Sequence, residues 1–346
     1  MVENGQGFLR GLILLQRGDT WSYLVELSLC LPRLTLTTPD IFGLTTSCAV
    51  NIFWPDWLLT KMTTFNLDQP PFCVQFQQSA AAVAHDFLTA FSALQTLPNK
   101  VYRTFDAIVQ RIGDTDSTAL VAAGRELSRA IDTGIGAGAG NSYHNSQHFC
   151  EVMLSAFFLA QLDQLCAADQ LELVLAAMAH DFHHDGRGNG VVPFRLERLA
   201  VSACEPYLVG AGVPEPQRRA LAALILATDM THGSAIAQTC HASHTGNAAR
   251  PTTHPDAPEL ALLASDPRLA RRALVLIEAD VLPSVGLSIE HAMQLQTRLS
   301  QEWGRPLEFK DKYWFVTEAF PGFIIGRFFT PNVLALQQYL LQHLGT

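Results

Sequence analysis

Between Asn141 and Asn189 the chain sets two clusters of histidine and carboxylate at the ends of a long apolar run, and this limits the fold more than any other feature. The first cluster reads Asn141-Ser-Tyr143-His144-Asn-Ser-Gln-His148; the second reads His180-Asp181-Phe-His183-His184-Asp185-Gly186-Arg-Gly188-Asn189. Five of the chain's twelve histidines fall here. The alanine- and leucine-rich residues between the clusters read as helix. Imidazole and carboxylate at this density point to metal chemistry. His148 follows His144 by one helical turn, and His184 follows His180 likewise, so each pair would share a face. His180 and Asp181 at a helix end can converge on one ion, and Gly186 and Gly188 would end that helix.

From Ser79 onward the periodicity predicts helix after helix, over 79–95, 99–112, 116–132, 144–164, 168–183, 193–209, 214–230, 266–282, 288–303, 308–328 and 331–344. No alternating pattern persists, so the expected class is all-α, a compact multi-helix domain. Gly134–Gly140 has four glycines in seven residues but lacks a Gly-Lys-Ser/Thr ending and a preceding strand, and reads as a flexible linker. Residues 241–258 read as a surface loop with His241, His244 and His254 in solvent. Trp303, Trp314, Phe315 and Phe320 fall at spacings that suggest core. Residues 1–61 differ: proline breaks them at 32, 39 and 55 and no period is sustained. They are expected to be an N-terminal extension, either a small subdomain or a stretch upstream of a true start at Met62, with the main domain over 62–346.

The net charge of -9 argues against a nucleic-acid backbone as partner. It leaves room for a small anionic substrate, because a metal ion reverses the potential inside a pocket. Seven cysteines, an odd number without a Cys-x-x-Cys, suit reduced thiols. No apolar run reaches a membrane span, and Glu3 precedes any basic residue, so the expectation is a soluble, cytoplasmic protein without a membrane partner.

Tyr-His-Asn-x-x-His followed by His-Asp-x-x-His-x-Gly-x-x-Asn resembles the catalytic domain of class I cyclic-nucleotide phosphodiesterases, within the His-Asp (HD) superfamily of metal-dependent phosphohydrolases. Leu196-Glu197, Ala227-Thr228-Asp229-Met230, Ala279-Asp280 and Gly322-Phe323-Ile324 continue the resemblance in order, over roughly residues 79–344. It implies an all-α domain with a binuclear metal cleft. His148, His180, Asp181 and Asp280 would ligate a first ion, usually zinc, and Asp181 would bridge to a second, usually magnesium or manganese. His184, Glu197 and Thr228 would order waters around the ions, with Asp229 beside them. Tyr143, Phe320 and Phe323 would line the substrate pocket. The implied reaction is hydrolysis of a 3′,5′-cyclic nucleotide (cAMP and/or cGMP) to the 5′-monophosphate. A metal-bridging hydroxide would attack and His144 would act as general acid.

The chain departs from that family where the base is read. Phe320 stands in place of the family's glutamine and Pro283 in place of its asparagine, so both amide contacts to a purine are lost. Gln294, Gln296 and Gln301 are the nearby candidates to replace them. His183 replaces an acidic residue, Asp185 a proline and Glu278 a cysteine; His232 lies on the surface or in the cleft. Two further readings stay open: the same centre acting on another nucleotide or phosphoester, and a metal- or nucleotide-binding sensor without turnover. Di-iron chemistry is a more distant one, motivated by His183 and Glu278.

Overall fold

The structure, a computed structural model, describes residues 9–17, 20–29, 79–113, 116–246, 251, 253–319 and 326–344. The chain divides into two compact units, Met1–Thr64 and Phe65–Thr346. In the first, β1 (Leu9–Arg17) and β2 (Thr20–Leu29) form an antiparallel hairpin, with Leu9 opposite Leu29 and Arg17 opposite Thr20. The register shifts between Leu15 and Gln16. These strands are absent from the sequence reading, because a run such as Leu12-Ile-Leu-Leu15 hides any alternation. The available signal was the Gly18-Asp19 dipeptide between two apolar segments, the second of which carries Thr20, Trp21, Tyr23 and Val25.

The second unit is all-α. Among its described residues the helices are α1 (Ala80–Gln95), α2 (Lys100–Ile112), α3 (Thr118–Asp132), α4 (Ser146–Leu162), α5 (Ala167–Ala179), α6 (Arg195–Gly210) and α7 (Glu215–Leu226). Then follow α8 (Gly233–His244), α9 (Ala261–Ser265), α10 (Pro267–Val285), α11 (Ile289–Glu302), α12 (Phe309–Trp314) and α13 (Thr330–Gln342). No helix among the described residues is long and apolar enough to cross a membrane, and the described cysteines, 150, 166, 204 and 240, are free.

Three helices form the centre. α4 is buried at every position from Gln147 to Ala160. α5 is buried from Asp169 to Ala179 except at Glu172, and α10 from Leu269 to Val285 except at Arg271 and Asp280. A helix apolar all round has no solvent face and belongs inside. α4 packs on both α5 and α10. The outer helices are amphipathic; α2, for example, turns Val101, Thr104, Phe105 and Ile108 inward. Side-chain caps fix several starts: Asn145 accepts from Gln147 N, Asp266 from Arg268 N and Leu269 N, and Ser288 from His291 N.

Several boundaries differ from expectation, all beside the polar clusters. α4 begins at Ser146, which leaves His144 in the entry loop. α5 ends at Ala179, with His180 as its C-cap and Asp181–His184 in the turn beyond. Neither histidine pair therefore shares a helical face. Thr228 and Asp229 follow the end of α7. The predicted 308–328 helix is short: α12 gives way to a π-turn at Phe315–Ala319. Helix α8 occupies part of the predicted loop, so His241 and His244 lie on a helix and are half-buried; His244 Nε2 pairs with Leu263 O at 2.8 Å. His254 is half-buried too, its ring 5.1 Å from that of Phe194. Trp303 and Trp314 are exposed, at 36% and 60%, because they lie at the end of α11 and on the outer side of α12. The glycine run is a close-packed turn and not a linker. Gly136 and Gly138 are left-handed (φ 60° each), and a Cβ at Gly138 would meet His144 O at 2.0 Å.

Gly124 lies inside α3, and a Cβ there would meet the buried Phe105 ring at 2.1 Å. Alanine gains about 1 kcal/mol of helix propensity, but overpacking a core costs about 1–3 kcal/mol. Gly124→Ala is expected to destabilise the protein, read as a lower denaturation midpoint with unchanged m.

Candidate metal centre

The three central helices each deliver a ligand-type side chain to one place. His148 comes from the first turn of α4, His180 and Asp181 from the end of α5, and Asp280 from the last turns of α10. His148 Nε2 lies 3.3 Å from Asp181 Oδ2 and 3.2 Å from Asp280 Oδ1; His180 Nε2 lies 3.1 and 3.4 Å from the same two atoms. Both Nε2 atoms are buried and neither has a hydrogen-bond partner. Buried polar atoms are otherwise almost always partnered. Two imidazole nitrogens and two carboxylate oxygens aimed at one point without bonding each other are the donor set of a divalent ion. His180 Nδ1 is 2.8 Å from Ala177 O. Its proton is thereby committed to that carbonyl, which leaves the Nε2 lone pair for an ion.

A second group lies alongside: His144, Asp181 and His184 bring one ligand atom each within 4.8 Å of one another, as do His148, His180 and Asp280. Asp181 touches the first group through its carboxylate and belongs to the second, so it stands between them. His184 plays a different part from His180. Gly186 N–H donates to its Nδ1 at 3.1 Å, which puts the proton of the neutral ring on Nε2. His184 is thus a donor toward the cleft rather than a lone pair. Burial pulls its pKa down to about 4.

His144 stacks on His184 with ring centroids 3.8 Å apart, and its Nδ1 meets Glu302 Oε1 at 2.5 Å. The other Glu302 oxygen accepts from the backbone N–H groups of Tyr143 and His144 at 2.7 and 2.9 Å. One carboxylate at the end of α11 thus holds both the ring and the backbone of His144. The loop is stapled further by Asn141, whose Nδ2 donates to His144 O and His184 O, each at 2.9 Å. The Tyr143 ring lies 4.7 and 4.9 Å from those of His144 and His148.

Glu197 is buried and accepts from Asn189 Nδ2 at 2.9 Å; burial, then the Asp229 charge, pushes its pKa up to about 7. Asp229 accepts from Asn189 Nδ2 and from the backbone N–H of Phe194, Thr231 and His232. It organises the two loops beside the centre and makes no bond to His144. Buried Thr228 donates to Ile225 O. His183 is exposed, left-handed (φ 67°) and bonded through its N–H to Gly136 O. Buried Glu278 accepts from Gly326 N, and Asp185 is paired with Arg195. His183 and Glu278 stand outside both ligand groups. His232 caps α8 with its ring near Phe194 and His254. Phe320 and Phe323 lie outside the described residues. Pro283 is buried within α10. Gln296 is committed to Leu307 O, while Gln294 and Gln301 are exposed.

Sequence reasoning missed Glu302, which lies 158 residues from His144 in no local motif. Asn141 and Asn189 have no part in the metal-ligand pattern. A clue to both was their place at the outer edges of the two clusters, where an amide can bridge two loops.

Burial opposes charge on His148, yet the Asp181 and Asp280 carboxylates outweigh it and hold the pKa at about 9; His180 is raised in the same way. Without an ion both rings therefore carry protons at neutral pH, and ion binding must displace them. The apparent affinity for Zn²⁺ or Mn²⁺ is expected to tighten as pH rises from about 6 to 9. Titration calorimetry in buffers of different ionisation enthalpy should register one to two protons released per ion.

No protein-family model matches the sequence, and no curated protein does. Solved structures do. The phosphodiesterase domain of the rhodopsin phosphodiesterase of Salpingoeca rosetta superposes with a TM-score of 0.51 at 17% identity, over 72% of this chain and 87% of that one. LmjPDEB1, in its complex with IBMX, gives 0.51 at 15% identity, over 81% of this chain and 93% of that one. The helices that converge on His148, His180, Asp181 and Asp280 thus build the fold of a cyclic-nucleotide phosphodiesterase catalytic domain.

Proposed function

We propose that this chain is a metal-dependent phosphodiesterase that hydrolyses a 3′,5′-cyclic nucleotide, cAMP or cGMP, to the 5′-monophosphate. The observation that carries this is the position of His144. It is fixed by Glu302 and adjoins the Asp181 carboxylate, which belongs to its own ligand group and lies 3.3 and 3.1 Å from His148 and His180 of the other. His148, His180, Asp181 and Asp280 would hold the first ion, zinc on its nitrogen and oxygen donors, and Asp181 would share a second, magnesium or manganese. When bound, such ions lower the pKa of a water and neutralise phosphate oxygens.

The chain's own residues account for the rest. With Nδ1 engaged by Glu302, His144 has Nε2 left to hold a proton toward the cleft. An alkoxide leaving group requires that proton, and an imidazole can supply it near neutral pH. Burial works to raise the Glu302 pKa, but the His144 contacts outweigh it and keep it low, so this carboxylate stays charged and the ring stays oriented. His184 and Glu197 both lie within electrostatic reach of Asp181 and suit the ordering of solvent beside it. Tyr143, packed on both histidines, closes one side, and Phe320 and Phe323 are the residues proposed to stack on a base.

One observation favours a second substrate class. Pro283 offers no amide one turn from Asp280, and Gln296 is already engaged. Another nucleotide or phosphoester would use the same centre. A sensor without turnover would bind such ligands and leave them intact.

Purified protein with Mn²⁺ or Mg²⁺ is expected to hydrolyse at least one member of a panel of cyclic nucleotides and nitrophenyl phosphodiesters. Metal binding without turnover of any would sink the enzyme reading. His144→Ala should lower kcat about 10²- to 10⁴-fold at unchanged metal content, whereas Asp181→Ala should lose metal.

A further inference from the structure

Between α5 and α6 the chain runs from His180 to Phe194 without helix or strand. The side chains it carries take their direction from whatever grips the turn. His184 is set by Gly186, whose N–H donates to its Nδ1 at 3.1 Å. Gly186 is left-handed (φ 76°), and a Cβ there would meet Asn141 Oδ1 at 2.8 Å. One side chain holds the residues on both sides of that glycine. Arg195 Nη1 and Nη2 donate to Asp185 Oδ2 and Oδ1 at 2.7 and 3.1 Å. Nη2 also donates to Gly188 O at 3.0 Å and, at the longer distance of 3.4 Å, to Arg187 O. Asp185 Oδ1 accepts from Arg187 N at 3.0 Å, which closes the turn.

Arg195 is the first residue of α6, and the next two residues of that helix grip the same turn. Leu196 N–H donates to Asn189 Oδ1 and Glu197 Oε2 accepts from Asn189 Nδ2, each at 2.9 Å. Three successive positions of α6 are thus keyed to residues 185–189. The helix itself does not call for a cation here. A helix start carries partial positive charge and favours acids, so Arg195 opposes the dipole. Stability does not call for it either. The paired side chains are 32% and 38% exposed, and ion pairs so exposed stabilise a fold little. What a guanidinium supplies is direction, because its planar fork engages both carboxylate oxygens and a carbonyl at once. It fixes the chain on both sides of Gly186 and, through the Gly186 N–H, the His184 ring.

We propose that Arg195 is a positioning residue of the metal centre. By clamping Asp185 and Gly188 it holds the His184 ring beside Asp181 and His144, in the place where solvent around a second ion is ordered. The proposal rests on the metal-dependent phosphodiesterase reading for that second ion. The ion held by His148, His180 and Asp280 is indifferent to the clamp.

Protein loaded with one equivalent of Zn²⁺ and titrated with Mn²⁺ by calorimetry tests it. Arg195→Met is expected to weaken the Mn²⁺ step about ten-fold, the scale on which groups behind metal ligands act, at unchanged Zn²⁺ content. It should lower kcat on a cyclic nucleotide to a similar extent and leave KM nearly unchanged. Arg195→Lys, which keeps the charge without the fork, should restore part of both. Asp185→Asn separates positioning from charge. Removing a cation favours Mn²⁺ and removing an anion disfavours it, so charge alone moves the two variants in opposite directions, whereas loss of the clamp weakens Mn²⁺ in both. Thermal melts report folding, and Arg195→Gln serves if the methionine variant does not fold. Opposite responses, an unchanged Mn²⁺ step, a Zn²⁺ content that falls with it, or a wild type that takes no second ion overturn the proposal. A weakened Mn²⁺ step in both variants of a protein that turns over no phosphodiester upholds the clamp and refutes the enzyme reading instead.

Discussion

Everything near the cleft depends on one costly act, the burial of two imidazoles and two carboxylates at the ends of helices that have no solvent face. A charge moved into such surroundings without compensation costs several kcal/mol. Here His148 Nε2 and His180 Nε2 are within 3.4 Å of the Asp181 and Asp280 oxygens yet hydrogen-bond neither. Protons can occupy the gap, which is what the raised histidine pKa values express; a divalent ion occupies it better. The centre is therefore coupled to folding, because the groups that need the ion come from α4, α5 and α10, which form the core.

The His144 side of the cleft is built on the opposite principle. His144 is outside the helices, in a loop that has no packing of its own to orient a ring. Its position is imposed from outside by Glu302, Asn141 and the stack on His184. Three contacts from three segments leave the imidazole little freedom, and the left-handed glycines at 136 and 138 let the chain pass close enough for those contacts to form. A ring held by its partners in this way keeps one orientation beside Asp181 and His184.

The sequence made the helices legible and the turns illegible, for a physical reason. Periodicity reports which face of a regular element is buried, so α1 to α7, α10, α11 and α13 stand out. It is silent once the chain leaves helical geometry, which happens at His144, after Ala179 and after Leu226. The i, i+4 argument for His144–His148 and His180–His184 consequently chose neighbouring residues for a geometry that does not occur. His180, Asp181 and Asp280 still converge because separate helix ends meet. Asp280 was reachable only through the resemblance. Glu302 was not reachable at all, since a carboxylate on an amphipathic helix looks like a solvated face until its partner is known. His183 looked like part of the cluster by spacing alone, and its left-handed backbone turns it to solvent.

Charge ties the parts together. Asp181, Asp280, Glu197 and Glu302 crowd one cleft in a chain of net charge -9. Without ions the protonated His148 and His180 offset the Asp181 and Asp280 carboxylates but leave no net positive charge, whereas a bound ion would turn the centre attractive to an anion. The ions reverse the field only over a short range, because the surrounding solvent screens it within about 10 Å. Whatever lies farther along the cleft is held by the protein's own charges. On α11 the charges change sign within a single turn, from Glu302 beside His144 to Arg298, which acts on the buried Glu151 carboxylate.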